Sequence, residues 1–253
     1  MDDGPGHDVL LDVRGITVRF GGNVALDEVR LEVAGGRVTG LIGPNGAGKT
    51  TLFNAITGLL TPSAGSMTLS GRDLGRLPPY KRARLGLART FQRLELFTLL
   101  SVRENVLVAA DLRARFGHDG VDPRKDVDRI IERVGLGGLA DERVDALPTG
   151  QARLVEIARA LATNPRVLLL DEPASGLDDE ETDDLGRLLR ELAGEGMAVL
   201  LVEHDVPLVM AVCDRIYVLD FGAVIAEGDP ESIRTNPKVL AAYLGDSAGG
   251  AAR

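Results

Sequence analysis

The chain has 253 residues, 44% of them hydrophobic, enough to bury the core of one large α/β domain or two small ones. With 38 acidic against 29 basic residues its net charge is -9, the opposite of the basic footprint of a nucleic-acid binder. A lone cysteine, Cys213, excludes an internal disulfide and suits a reducing cytoplasm, and no apolar run approaches the ~18 residues of a membrane span.

In chain order, residues 1–8 open Met1-Asp2-Asp3-Gly4 without the basic region of a secretory signal and read as a flexible tail, as do residues 246–253. Short β-like runs follow at 9–13, 16–20 and 29–33, then at 37–42 and 67–69; such turn-separated runs are expected to pair antiparallel. Phe20 ends the second run before Gly21-Gly22. Exposed there, it could stack on an adenine ring; buried, it would pack a core.

The run 37–42 (RVTGLI) enters GPNGAGKTT, in which Gly43, Gly48, Lys49 and Thr50 fit the phosphate-binding template G-x-x-x-x-G-K-[ST]. In the loop Gly43-Pro44-Asn45-Gly46-Ala47-Gly48 the glycines let backbone N–H groups curl inward around an anion. Lys49 can reach β- and γ-phosphates and the Thr50 hydroxyl suits Mg²⁺. Thr51 closes the motif, and Leu52, Phe53 and Ile56 follow at helical spacing, with Gly58 as a stop. The start of that helix adds its positive dipole end. Strand, loop and helix together imply a nucleoside-triphosphate site.

Residues 72–100 carry Pro78-Pro79, a basic cluster (Lys81, Arg82, Arg84) and LARTFQRLELF, which contains Gln92. From 101 to about 164 the chain reads mostly helical. Val127, Ile130, Ile131 and Val134 form one apolar stripe, with Asp122 as N-cap, Pro123 at the first position and Gly135 past the end. Leu154, Ile157, Ala158 and Leu161 form a second, in a helix starting near Gly150. Residues 113–120 read as a polar mobile loop in which His118 is a solvated surface residue. Strands at 167–170, 198–202 and 216–219 alternate with helices at 180–193 and 207–212, the pattern of a parallel sheet with crossover helices. Residues 223–226 return as a hairpin through Phe221-Gly222, and 230–234 and 237–244 read as two short helices.

The strand 167–170 delivers Asp171 and Glu172 at its C-terminal end, where ligands sit in open α/β sheets. An Asp there can orient Mg²⁺ through water, and the adjacent Glu can polarise an attacking water for in-line phosphoryl transfer. The strand 198–202 repeats the design with Glu203-His204-Asp205, bringing His204 to the same edge as a γ-phosphate contact.

GPNGAGKTT, the Gln of RTFQ, LPTGQARLVEIARAL, VLLLDEP, SGLD and LLVEHD, in that order, resemble the ATP-binding subunits of ABC transporters over residues 9–245. The resemblance implies one domain with a RecA-like parallel core, an N-terminal antiparallel β-subdomain and an inserted helical subdomain at about 93–162. It makes Phe20 the adenine-stacking aromatic, and Gln92 a partner of Thr50 in sensing Mg²⁺ and the γ-phosphate. Glu172 becomes the catalytic carboxylate and His204 the switch histidine. Leu147, Pro148, Thr149, Gly150 and Gln151 form the signature loop, and Ser175, Gly176, Leu177 and Asp178 the loop crossing to a partner subunit. A finer similarity, in FGG after residue 19, RTFQRLELFTLLSVRENVLVA, EHDVPLVM and the stretch from DRIYVLDFG to AYLG, is to the ATPase subunits of branched-chain amino-acid importers. Relatives of that group serve urea and other small amides, leaving those or another small solute as alternatives.

One departure stands out. The family's LSGGQ is LPTGQ here, so Pro148 replaces the serine whose hydroxyl touches the γ-phosphate and brings neither hydroxyl nor N–H. Gly150 is kept, and a carboxylate there, as in Gly150→Asp, is expected to nearly stop turnover by facing the γ-phosphate.

The implied machine is an ATPase dimer, with a second copy or another ATPase, that sandwiches ATP and Mg²⁺. It would drive transmembrane permease subunits from the cytoplasmic face of the membrane, fed by an external solute-binding protein, with no nucleic acid involved. Leu94, Leu96, Phe97, Leu99 and Leu100 either form a docking groove for a permease helix or pack the helical subdomain. The rival readings are a soluble ABC ATPase outside transport, or a non-hydrolysing nucleotide binder, which the presence of both Glu172 and His204 disfavours.

Overall fold

The structure, a computed structural model, describes residues 8–116 and 123–249. Its strands are β1 (Val9–Phe20), β2 (Asn23–Ala34), β3 (Val38–Ile42), β4 (Ala64–Leu69), β5 (Arg72–Asp73), β6 (Leu87–Arg89), β7 (Val167–Asp171), β8 (Ala198–Val202), β9 (Arg215–Asp220) and β10 (Ala223–Gly228). Its α-helices are α1 (Lys49–Thr57), α2 (Pro79–Arg84), α3 (Val102–Phe116), α4 (Pro123–Arg133), α5 (Thr149–Ala162), α6 (Asp179–Gly194), α7 (Val206–Val212), α8 (Pro230–Arg234) and α9 (Pro237–Gly249).

The two runs expected at 9–13 and 16–20 are one strand. Gly15 sits at φ +63 where the register to β2 shifts, so a bulge bends β1 without ending it. The β1–β2 hairpin and β4 pair antiparallel in a sheet of order β2-β1-β4-β5. The strand entering the phosphate loop departs from that expectation. β3 is parallel to β8 and β9, at the heart of a second sheet of order β10-β9-β3-β8-β7-β6. All five residues of β3, β7 and β8 are buried, as parallel strands covered on both faces must be.

Alternate residues of these strands serve the two faces. Leu168, Leu170, Val199 and Leu201 join the α5, α6 and α7 side, with Leu188, Leu189 and Val209. Val167, Leu169, Ala198 and Leu200 pack on α1 and the antiparallel sheet, with Phe53, Ile56, Leu11 and Leu26. Each fully buried leucine contributes about 2 kcal/mol. Parallel pairing in register, Gly40 with Leu201 and Asp171 with Val202, is why β3, β7 and β8 end together at one edge.

Several local readings change. The short edge strand β6 was not foreseen. Arg82, one of the basic cluster with Lys81 and Arg84, is only 2% exposed. Its guanidinium donates to the carbonyls of Leu77 (2.8 Å), Ala55 (2.8 Å), Ile56 (2.7 Å) and Gly75 (3.0 Å), capping the carbonyl end of α1. The stretch expected as a loop from Arg113 is helical through Phe116. There Arg113 faces Asp126 of α4 at 3.8 Å and Arg84 stacks on the Phe116 ring at 4.4 Å. Asp122 and His118 lie outside the described residues. At the other end α9 runs through Gly249, so residues 246–249 are helical where a loose tail was expected.

Cys213 is buried and its thiol is pushed up to about 12 by burial. It is therefore expected to resist alkylation in the folded protein at pH 8 and to label only as the chain unfolds. Rapid labelling of native protein, followed by mass spectrometry, would contradict this placement.

Candidate nucleotide site

The phosphate loop leaves β3 under tight steric control. At Gly43 a Cβ would lie 2.0 Å from the Leu219 carbonyl oxygen, so only glycine fits. Gly46 is at φ +79 beside open space, and Gly48, at φ +110, is the N-cap of α1 with no side-chain cap. Side chains thus leave the first N–H groups of α1 to the loop's concavity, an anion cradle with a positive dipole end. Lys49, only 7% exposed, donates from Nζ to the carbonyls of Gly43 (2.5 Å) and Pro44 (3.0 Å), arching over the loop. Asn45, Gly46 and Thr50 are exposed, Pro44 and Thr51 half-buried and Ala47 buried.

The ends of β7 and β8 complete the edge. Asp171 is buried; its backbone N–H donates to Thr90 Oγ1 at 3.2 Å and its Oδ2 accepts from Arg89 at 2.9 Å. Burial pushes the Asp171 carboxyl above its ordinary range, and Arg89 pulls it partly back. Glu172 follows with φ +53, a left-handed backbone that a non-glycine residue holds only under constraint. Its N–H bonds the Val202 carbonyl at 2.8 Å, fixing the turn to β8. Its Oε1 meets His204 Nε2 at 2.7 Å and its Oε2 accepts from Gln92 Nε2 at 3.3 Å. Two side chains from two other loops converge on this one carboxylate.

The signature and crossing loops touch each other within the chain. Pro148, exposed, is the N-cap of α5 and supplies no side-chain cap. At Gly150 a Cβ would stand 2.5 Å from the Gly176 carbonyl oxygen and 2.9 Å from Leu177 Cδ2. Leu147 and Gln151 are half-buried, and Thr149 is exposed. Ser175 is exposed in the same turn. The Asp178 side chain caps α6, accepting from Glu181 N–H at 2.8 Å in a reciprocal capping box. Phe20, 54% exposed at the β1–β2 turn, is not a core residue.

Four charged residues at this site had no part in the expectations. Arg89 joins Asp171 to Asn54 Oδ1 of α1 at 2.7 Å. Arg153 donates to the carbonyls of Phe91, at 2.7 Å, and Gln92. Glu156 accepts from the Glu95 N–H at 3.0 Å, so α5 grips the Gln92 segment from behind. Burial pushes the Glu156 carboxyl up. The buried Glu203 carboxyl is also pushed up by burial, offset by backbone N–H groups. Arg153 and Glu156 had a visible signal, since they are charges amid the apolar residues of α5. In the run after Gln92, Leu96 packs the core, while Phe97 and Leu99 (73% exposed) stay on the surface. Phe97 flanks a groove of about 360 Å³ with Pro79, Phe91, Leu112 and Arg159.

The Thr50 hydroxyl, Gln92 amide and Asp171 carboxylate are hard oxygen donors of the kind Mg²⁺ accepts beside phosphates and waters. Among the described residues no cluster of three or more His, Cys, Asp or Glu offers an all-protein metal cage. The donor set therefore fits a metal brought with a phosphate ligand.

Comparison with known proteins identifies the family. The family described as ABC transporter matches residues 26–175, and that described as branched-chain amino acid ATP-binding cassette transporter matches 223–249. The high-affinity branched-chain amino acid transport ATP-binding protein BraF of Pseudomonas aeruginosa is 43% identical over 251 residues, covering 94% of this chain and 98% of that protein. The corresponding LivG of Escherichia coli K12 gives the same identity and coverage. The ADP conformation of MJ1267, an ATP-binding cassette of an ABC transporter, superposes with a TM-score of 0.84 at 33% identity, over 94% of this chain and 99% of that one. This chain belongs to the ABC transporter ATPase family, in the sequence group of the branched-chain amino acid transport ATP-binding proteins.

Proposed function

We propose that the chain is the ATP-hydrolysing subunit of an importer for branched-chain or related amino acids, acting at the cytoplasmic face of a membrane. The observation that carries the catalytic part is Glu172 held between His204 and Gln92 at the edge of the phosphate loop. Phe20 stacks the adenine, and the loop from Gly43 to Thr51 takes the phosphates on its N–H groups and Lys49. Thr50, Gln92 and Asp171 would hold Mg²⁺, which when bound neutralises charge on the β- and γ-phosphate oxygens. Glu172 orients the attacking water and takes up its proton, while His204 holds the carboxylate and faces the γ-phosphate. The residues from Leu147 to Gln151 meet the ATP of a second ATPase, as do Ser175, Gly176, Leu177 and Asp178 in crossing to it. Residues 93–162 act as the helical subdomain, and the groove beside Phe97 receives a permease helix. A solute-binding protein outside the membrane delivers the solute.

The identity to BraF and LivG supports the solute class. The test is uptake of labelled leucine by vesicles holding this chain with permease subunits and solute-binding protein encoded beside it. ATP-dependent leucine uptake is expected. Uptake of urea in its place would move the solute assignment, and ATP hydrolysis indifferent to any permease would remove the transport reading.

Pro148→Ser tests the altered signature. Serine supplies the missing N-cap of α5, worth about 1 kcal/mol or ~2–4 °C in a chain this size. It also restores a hydroxyl for the second ATP, so the ATPase rate of the chain alone is expected to rise about tenfold or more. A higher melting temperature with unchanged ATPase would show that the cap is local and that position 148 does not face phosphate.

A further inference from the structure

We propose that Glu203 is the positioning residue of the Glu172–His204 pair, an inference that rests on the catalytic reading of those two residues. Glu203 is 6% exposed, and both of its carboxylate oxygens are engaged by backbone. Its Oε1 accepts from the Ala174 N–H at 2.7 Å and its Oε2 from the His204 N–H at 3.0 Å. One carboxylate therefore ties the loop after β7 to the loop after β8.

The tie spans the residues whose geometry matters. Ala174 lies two residues beyond Glu172, whose backbone is held at φ +53, and its anchored N–H fixes the chain just past that strained position. On the other side, the bond to the His204 N–H sets where the imidazole leaves β8. The Glu172 N–H to Val202 bond closes the frame at the strand ends. Within that frame Glu172 Oε1 and His204 Nε2 stand 2.7 Å apart. The same Ala174 N–H opens the turn that carries Ser175, Gly176 and Leu177, so the carboxylate also sets the start of the crossing loop. A buried carboxylate held at each oxygen by a backbone N–H acts as a rigid staple, since each bond is charge-assisted.

Glu203→Gln in the purified full chain tests this. The amide keeps the size but turns one acceptor into a donor facing a backbone N–H. The kcat for ATP is expected to fall about tenfold or more, with KM within about twofold, because Lys49 and the phosphate loop are untouched. Glu203→Asp keeps the charge but is one methylene too short to span both loops, and should fall between wild type and Glu203→Gln. In a His204→Ala background Glu203→Gln should cost clearly less than in wild type, because the contact it positions is already gone.

Equal fold-losses in both backgrounds, or KM rising as kcat falls, would overturn the proposal. So would failure of both Glu203 variants to fold, which would make the carboxylate a framework group. If Glu172→Gln and His204→Ala themselves keep wild-type turnover, the catalytic reading fails first. If those two lose turnover while Glu203→Gln keeps its kcat, the catalytic reading stands and the positioning role is lost.

Discussion

Glu172→Gln should bind ATP and turn it over at a hundredth of the wild-type rate or less, the range expected for losing a positioned general base. The substitution is close to isosteric. The amide oxygen can still accept from His204 Nε2, where the carboxylate now does at 2.7 Å. The new N–H₂ would face the Gln92 amide donor, now 3.3 Å from Oε2, so that contact is lost. Stability should change little, because the strained φ of +53 and the backbone bond to Val202 do not depend on the side-chain charge. With binding intact and cleavage stalled, gel filtration in ATP and Mg²⁺ should show a persistent dimer. Phosphate release near the wild-type rate would mean that another group orients the water.

Gly150→Ala should be nearly as damaging, for a reason the sequence alone does not give. The expectation for Gly150→Asp rested on charge against the γ-phosphate, but a single methyl already stands 2.5 Å from the Gly176 carbonyl oxygen and 2.9 Å from Leu177 Cδ2. The crossing loop must move, and overpacking of this kind costs about 1–3 kcal/mol. Expressed in the closed dimer, that is about five- to 150-fold in turnover. Thr149→Ala, at an exposed neighbour, should stay within about threefold, since surface truncations are mostly small. ATPase assays at matched concentration separate the two. Gly150→Ala at wild-type activity would show that the loops can part freely, and the loss from Gly150→Asp would then belong to charge.

The groups legible in the sequence are those whose chemistry is local. Gly43 to Thr51 is one contiguous stretch, and Asp171, Glu172 and His204 each follow an apolar strand, so strand patterning alone brings them to one edge. The unread groups make their contacts far along the chain: Arg89 with Asp171 across 82 positions, and Arg153 with Phe91 across 62. No periodicity reports such pairs. Leu87–Arg89 is too short to alternate visibly, and so β6 was missed. Gly15 reads as a turn between two strands because a bulge and a turn use the same residue. The sequence shows Arg82 only as part of a basic cluster, because only the folded chain brings the carbonyls of Ala55 and Ile56 to it. The direction of β3 needed its neighbours: β8 and β9 lie about 160 and about 175 residues downstream.

The central claim is that the loop from Gly43 to Thr51 is where this chain holds ATP, with Lys49 as the principal side-chain cation. Equilibrium binding of labelled ATP to wild type and Lys49→Ala tests it directly, with melting temperatures of both as the control for folding. Lys49 now donates to the Gly43 and Pro44 carbonyls, and on binding it would exchange such contacts for β- and γ-phosphate oxygens. Charge-assisted bonds at ~1.5–3 kcal/mol each put the expected loss at about a hundred-fold or more. A folded Lys49→Ala variant that binds ATP with near wild-type affinity would contradict the account at its base.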